Sequence, residues 1–313
     1  MKIGFIGLGR MGQHMAQNVL AAGHDLAVLD TSADAMTPLV ASGANAATSV
    51  ADLVKRCDVI LLSLPGPPAI ETVVFGDDGI LDHLRSDQVL FDLSTSSLSL
   101  AIRIHDAFAE RGASMLDAPV SGGPLGAESR DLAFWVGGDK SVYERFLPIL
   151  RSMGDKPKYC GPIGSGTVVK LAHNLSGHLI MRSLAETFSL AVRAGVDPLE
   201  LWDAMRLGVV GKGSPLDMLT QQFLPGRYEP PSFALKLAFK DVTLATQLGH
   251  ELGVPMELAR LTMADMAEAM DRGLGEQDAR TYLQLQLERA GVSIAVDPEA
   301  IASRQGTRGA PSG

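Results

Sequence analysis

The sequence predicts an α/β domain built on a doubly wound, mainly parallel sheet, followed by an all-α domain joined to it by a long spine helix. Three observations carry this. A chain of 313 residues is the length of about two domains at roughly 150 residues each. Its first half alternates short Val/Ile/Leu blocks with amphipathic stretches, the pattern of repeated strand–helix–strand units. Beyond Gly164 the strand blocks stop and long patterns of helical period take over.

Taken in order, Lys2–Ile6, Leu26–Leu29, Val59–Leu64, Val89–Leu93 and Ser114–Leu116 read as strands. Each is apolar throughout rather than alternating, as expected where helices cover both faces of a parallel sheet. Helical patterns lie between them at Gln13–Ala22, Val50–Lys55 and Ala101–Glu110, with Gly23 and Gly112 where helix ends take a left-handed residue. Leu132–Val136 and Tyr143–Met153 complete a first domain, residues 1–161. The spine, Thr167–Arg193, repeats apolar residues at Val168, Leu171, Leu175 and Leu179, a stripe expected to face protein, and is punctuated by Gly195 and Pro198. Helices at Leu199–Arg206, Leu216–Phe223, Ala234–Leu252, Met256–Asp271 and Asp278–Ala290 fill a second domain, residues 162–294. Residues 295–313, ending in a Gly-, Ser-, Arg- and Pro-rich stretch, are expected to be a disordered tail.

Composition narrows the function. Lys and Arg number 27 against 36 Asp and Glu, a net charge of −9 with no basic run, which argues against nucleic acid as a partner. No stretch approaches the ~18 uninterrupted apolar residues of a membrane span. The two cysteines, Cys57 and Cys160, form no CxxC pair, so neither a disulfide framework nor a thiolate metal site is expected. With no leader-like start, a reducing, cytoplasmic setting is the expectation.

Gly7-Leu8-Gly9-Arg10-Met11-Gly12 matches GxGxxG and sits between a strand and a helix, the context that makes the motif specific. Gly7 permits the tight turn, Gly9 lets backbone amides approach a pyrophosphate, and Gly12 allows the helix to pack on the strand. The amides and dipole of the helix N-terminus then favour the anion. Asp30 follows 18 residues after Gly12 at the end of the second strand. A carboxylate there accepts hydrogen bonds from both ribose hydroxyls and repels a 2′-phosphate, which favours NAD over NADP. A turn Asp capping the next helix is the competing reading.

Three further segments stand out. Asp117–Pro124 follows a strand, and its small residues expose backbone N–H groups suited to a carboxylate; an ordinary Gly/Pro connection fits it too. In Gly164–Asn174, Lys170 and Asn174 are four apart and share a helix face. A lysine buried there has a lowered pKa suited to proton transfer, whereas a snorkelling lysine has none of this. Phe239-Lys240-Asp241-Val242 also reads as an exposed ion pair on an ordinary helix.

Together these motifs resemble the β-hydroxyacid dehydrogenase family, which includes 3-hydroxyisobutyrate dehydrogenase and tartronate semialdehyde reductase. The resemblance runs from Met1 to about Leu287, through the glycine motif, Leu64-Pro65, Asp92-Leu93-Ser94-Thr95, Asp117–Gly123, Gly164–Asn174 and Lys240-Asp241. It implies a Rossmann domain and a helical domain with the active site in the cleft between them, and a homodimer or homotetramer formed through the helical domains. It implies Lys170 as catalytic acid/base, with Ser121, Gly122, Gly123 and Asn174 on a small hydroxyacid substrate. Leu64, Pro65, Thr95 and Lys240 would lie by the cofactor.

Four departures leave the hydroxyacid open. Arg130-Asp131 stands where the family usually has Gly-Thr, and Leu98 where it often has Pro. Gly208–Pro215, with Lys212, is short and unlike the serine-rich stretch of the hydroxyisobutyrate enzymes. His173 replaces a common Asn, giving the Lys-x-x-His-Asn order of 6-phosphogluconate dehydrogenase and a further candidate for substrate contact, with a buried, hydrogen-bonded helix histidine as the competing reading. Hydroxyacids such as threonate, phenylserine, sulfolactate or 2-(hydroxymethyl)glutarate remain open. An imine reductase of the same fold is the competing enzyme, against which Lys170 counts because those relatives usually carry Asp or Tyr there. A non-catalytic dinucleotide-binding protein is the competing class.

Overall fold

The structure, a computed structural model, describes residues 1–306. It divides into two units, Met1–Gly177 and the residues from His178 onward. In the first, β1 (Lys2–Ile6), β2 (Asp25–Leu29), β3 (Asn45–Ala46), β4 (Val59–Leu62), β5 (Val89–Asp92) and β6 (Ser114–Asp117) pair in the order β3-β2-β1-β4-β5-β6, all parallel. The chain builds outward from β1 to β3, then returns to β4 on the other side of β1. That reversal leaves a crevice at the carboxyl ends of β1 and β4, where doubly wound sheets bind ligands.

Three more strands complete the sheet. β7 (Val120–Ser121) and β6 pair antiparallel with β8 (Ala133–Gly137), and β9 (Lys156–Gly161) runs parallel to β8. The sequence signals β3, β7 and β9 poorly, because the first two have two residues each and β9 is a half-buried edge strand with Pro157 inside it.

Strand alternation sends side chains to two cores. Ile3, Phe5, Val59, Leu61, Val89 and Phe91 face one, closed by α1 (Gly12–Ala21) and by α8 (Lys140–Met153), the latter through Phe146, Ile149 and Leu150. Ile6, Ile60, Leu62, Leu90 and Met115 face the other. There they meet Leu53 and Val54 of α3 (Val50–Arg56), Ile70 and Val74 of α4 (Pro67–Phe75), Ile80 of α5 (Ile80–His83), and Ile104 and Phe108 of α6 (Leu98–Ala109). This two-sided burial explains why the strands read as continuous apolar blocks. α2 (Ala33–Ala41) and α7 (Gly123–Ser129) complete the unit. Side-chain caps start several helices: Ser49 accepts from Asp52 N, Ser97 from Leu100 N, and Asp139 from Ser141 N and Val142 N.

α9 (Ser165–Arg193) begins in the first unit and runs into the second. Further on come α10 (Pro198–Leu207), α11 (Val209–Lys212), α12 (Leu235–Leu252), α13 (Glu257–Asp271), α14 (Leu283–Arg289) and α15 (Pro298–Gly306). Leu235 and Ala238 of α12, Met266 and Ala269 of α13 and Leu285 of α14 form the core. Glu186 of α9 is buried and accepts from Leu258 N at 3.1 Å and Ala259 N at 2.9 Å, satisfying first-turn amides of α13.

Three expectations need correction. Val168, Leu171, Leu175 and Leu179 of the spine stripe are exposed on the chain rather than packed against it. In place of a helix over Leu216–Phe223 there is only a 3-10 turn, Asp217–Leu219, since the stretch between Pro215 and Pro225 buries only Gln222. Part of the expected tail is α15; Asp297 accepts from Glu299 N at its start, a cap that composition alone hides. Residues 307–313 of that tail lie outside the described residues.

Candidate active site

A cavity of about 860 Å³ opens at the crevice between β1 and β4. Of the residues the motif singles out, Gly7, Gly9, Arg10, Met11 and Gly12 line it, together with Asp30, Leu64 and Pro65. Sequence reasoning missed Thr31, Ser49, Val50, Ala69, Thr72 and Val73, which also line it and carry no motif of their own.

The glycines divide their labour as the chemistry requires. Gly7 has φ +93°, and a Cβ there would lie 2.3 Å from Ser63 O. A Cβ on Gly12 would lie 1.9 Å from Gly7 O, so helix and turn meet only without side chains. Gly9 has nothing within 4 Å of a Cβ position, which leaves its face of the loop open to a ligand. No side chain caps α1. Gln13 N donates to Gly9 O at 3.1 Å, and no side chain takes the remaining first-turn amides, which suits an anion, unlike those of the capped helices. Uncapped amides, an open glycine and a carboxylate at the rim fit a dinucleotide.

Asp30 is braced rather than free. One oxygen accepts from Leu8 N at 2.6 Å and the other from Ser32 N at 2.9 Å. Leu8 therefore serves through its amide, while its side chain is buried in the core and does not line the cavity. Thr95 is exposed just beyond β5 and also stands outside that lining; its neighbour Ser94 accepts from Leu64 N at 2.9 Å.

A second cluster lies where β7 meets α9. Lys170 Nζ donates to Val120 O at 2.7 Å, one residue before Ser121. The amine is half-buried, and that burial lowers its pKa from the ordinary lysine value. Gly122 and Gly123 have φ of +141° and +65° and are exposed at the start of α7, which no side chain caps. Asn174 follows one helical turn after Lys170, and its Oδ1 lies 3.4 Å from Nδ1 of the exposed His173.

The His173 ring packs on Trp135 of β8 with centroids 4.9 Å apart, and Lys170 Nζ lies 5.9 Å from the same indole. Trp135 was not legible as a site residue, because an aromatic in an apolar strand reads as core. Lys240 is the one predicted site residue in the helical unit, where it forms an exposed ion pair with Asp241 at 3.1 Å. Among the described residues no His, Cys, Asp and Glu cluster could hold a metal ion, and no helix is long and apolar enough to cross a membrane.

The profile of the NAD-binding domain of 6-phosphogluconate dehydrogenase matches residues 2–162. A second profile, the NAD-binding region of NADP-dependent 3-hydroxyisobutyrate dehydrogenase, matches residues 164–286. The chain belongs to the β-hydroxyacid dehydrogenase family. It is an NAD(P)-dependent oxidoreductase.

Relatives support the assignment along nearly the whole length. The NAD-dependent L-serine dehydrogenase of Pseudomonas aeruginosa is 34% identical over 282 residues, 88% of this chain and 95% of that one. The 2-(hydroxymethyl)glutarate dehydrogenase of Eubacterium barkeri is 32% identical over 299 residues, 94% of this chain and 98% of that one. An imine reductase from Myxococcus stipitatus superposes with a TM-score of 0.80 over 91% of this dehydrogenase and 99% of that chain, at 20% identity, a likeness of fold alone.

Proposed function

We propose that this dehydrogenase interconverts a small 3-hydroxy acid and the matching aldehyde or keto acid, with Lys170 as general acid/base. The observation that carries the reading is the amine of Lys170, half-buried and bonded to Val120 O beside the Ser121-Gly122-Gly123 turn. Burial destabilises the ammonium, so a larger share of neutral amine is present near pH 7 than on an exposed lysine. In oxidation the neutral amine keeps one N–H on Val120 O and takes the substrate hydroxyl proton on its lone pair. In reduction the ammonium gives that proton to the developing alkoxide. When bound, the nicotinamide supplies the hydride acceptor or donor.

The other candidates bind and orient. The Ser121 hydroxyl and the exposed amides of Gly122 and Gly123 suit the substrate carboxylate without a buried counter-charge, and Asn174, on the face of Lys170, holds a substrate oxygen. His173 offers a further contact beside Asn174. Gly7, Leu8, Gly9, Arg10, Met11 and Gly12 hold the pyrophosphate, and Leu64, Pro65, Thr95 and Lys240 complete the cofactor contacts. Asp30, fixed by two backbone amides, selects NAD over NADP by repelling a 2′-phosphate.

The assembly in this reading is a homodimer or homotetramer. Exposed leucines of α9 such as Leu175 (59%) and Leu179 (52%) give it an apolar surface to cover. Two free cysteines accord with a cytoplasmic setting.

A panel of 3-hydroxy acids, with a cyclic imine beside them, assayed against NAD and NADP tests substrate class and cofactor together. Lys170→Ala is expected to lower turnover ~10²–10⁴-fold while cofactor binding, read by nicotinamide fluorescence, stays intact. For the parent enzyme the oxidation rate rises with pH through a pKa below that of an exposed lysine. Undiminished turnover by the alanine variant overturns the reading.

A further inference from the structure

We propose that Asp117 is a positioning residue for Lys170: its carboxylate clamps the first turn of α9 to the end of β6, so that the amine one turn on reaches Val120 O. The inference rests on the reading that Lys170 exchanges the proton, and adds the part of the chain that aims it. Asp117 is 1% exposed, yet it makes no ion pair with Lys170. Its Oδ1 accepts from Gly164 N at 2.8 Å and its Oδ2 from Thr167 N at 2.5 Å, across 47 and 50 residues of chain. Two charge-assisted bonds to backbone amides fix both the place and the direction of a helix start.

The surrounding backbone is shaped to admit this clamp. A Cβ on Gly137 would lie 2.3 Å from Asp117 Oδ1, so the carboxylate fills the space of a missing side chain on β8. A Cβ on Gly166 would lie 2.1 Å from Trp135 O and 2.8 Å from Asp117 O, so the first turn of α9 rests directly on two strand carbonyls. Three residues after Asp117, Val120 O receives Lys170 Nζ at 2.7 Å, three residues after Thr167. The stretch 117–120 thus holds 164–170 at two points, one by the helix backbone and one by the reactive amine. An error of about 1 Å in such a group is expected to cost up to ~10²-fold in rate.

The test substitutes Asp117→Asn and Asp117→Ser. Asparagine keeps the size but turns an NH₂ toward one of the two amides, and serine accepts from only one. Asp139→Ala, which removes the cap of α8 without taking any hydrogen bond from the clamp, is the matched control for a loss of stability alone. The readout is the pH dependence of Lys170 acetylation by acetic anhydride, measured peptide by peptide against exposed Lys140, alongside kcat and cofactor affinity.

In the parent, Lys170 is expected to titrate below the ordinary lysine value. In both Asp117 variants its titration should move up toward that ordinary value, and kcat should fall about 10- to 100-fold with cofactor affinity unchanged. Asp139→Ala should change neither. Lys170 titrating as in the parent, with the kcat of the control, overturns the proposal. Should neither variant fold, hydrogen exchange in the parent decides: protected Gly164 and Thr167 amides uphold the clamp, and exchange at open-loop rates refutes it. A shifted Lys170 in a protein that turns over no hydroxyacid keeps the clamp and sinks the dehydrogenase reading. An inactive Lys170→Ala beside a fully active Asp117→Asn does the reverse.

Discussion

The α/β unit and the helical unit solve the same burial problem to different depths. In the α/β unit β1, β2, β4, β5 and β6 send side chains to two cores, and Phe5, Phe91, Phe108 and Phe134 are fully buried. The core cluster of the helical unit holds just Leu235, Ala238, Met266, Ala269 and Leu285 among the described residues, with Tyr228 and Met256 buried outside it, and Trp202, Leu207, Leu244, Leu248 and Leu261 are among the unit's exposed apolar residues. A sheet covered on both faces finishes its own core. A few helices beside one long helix do not, and their outer apolar faces await another surface.

Four experiments would sharpen or break this contrast. The largest effect is expected in the cores. Phe134→Ala should cost about 3–5 kcal/mol, whereas Leu285→Ala should fall near the low end of the ~2–5 kcal/mol range, because a thin core collapses around the lost side chain. Urea unfolding measures both, and equal costs would mean that the two cores are equally tight.

Next, Leu175→Asp with Leu179→Asp should halve or quarter the mass seen by sedimentation. An unchanged mass would place any assembly on another face.

Asp92 supplies a pH test of the deep α/β core. Burial pushes its carboxyl up to about 6, outweighing the hydrogen bonds from Ser94. A folded pKa raised above the unfolded value means that the native state binds the extra proton. Stability from this group is therefore greatest below the unfolded value near 3.8 and is lost as pH rises through about 6. The loss should reach roughly 1–3 kcal/mol. Asp92→Asn should flatten that part of the stability profile and make the variant relatively more stable at pH 8. A parent profile already flat from pH 4 to 7 would refute the assignment.

The smallest change is at Arg130, which holds φ +63° at the end of α7 where the family usually has glycine. Arg130→Gly should release about 1 kcal/mol of left-handed strain, offset in part by glycine's greater unfolded-state entropy, and raise Tm slightly. A lower Tm would show that the arginine side chain contributes more than its backbone costs.

How much was legible follows the same division. The long strands were readable because two-sided burial writes continuous apolar blocks, and GxGxxG because strand, turn and helix are contiguous. The edge strand β9 was not, since a half-buried edge needs no such block. The exposure of Val168, Leu171, Leu175 and Leu179 was misread, because periodicity reports that a helix has an apolar face and is silent on what covers it. Trp135 and Asp117 carry their meaning only through residues far along the chain, His173, Lys170, Gly164 and Thr167.

By itself the sequence determined the α/β-then-α order and the dinucleotide loop. These depend on neighbours a few residues apart, where turn sterics and helical period act; Lys170 as candidate acid/base came instead from the resemblance of motifs spread along the chain. Only the tertiary structure decided that Leu8 works through its amide on Asp30, that Lys170 is half-buried on the carbonyl of Val120, and that Asp117 holds the start of its helix. Such placements depend on which distant backbone groups come within hydrogen-bonding range. Local propensity does not encode that distance; the packing of sheet and helix sets it.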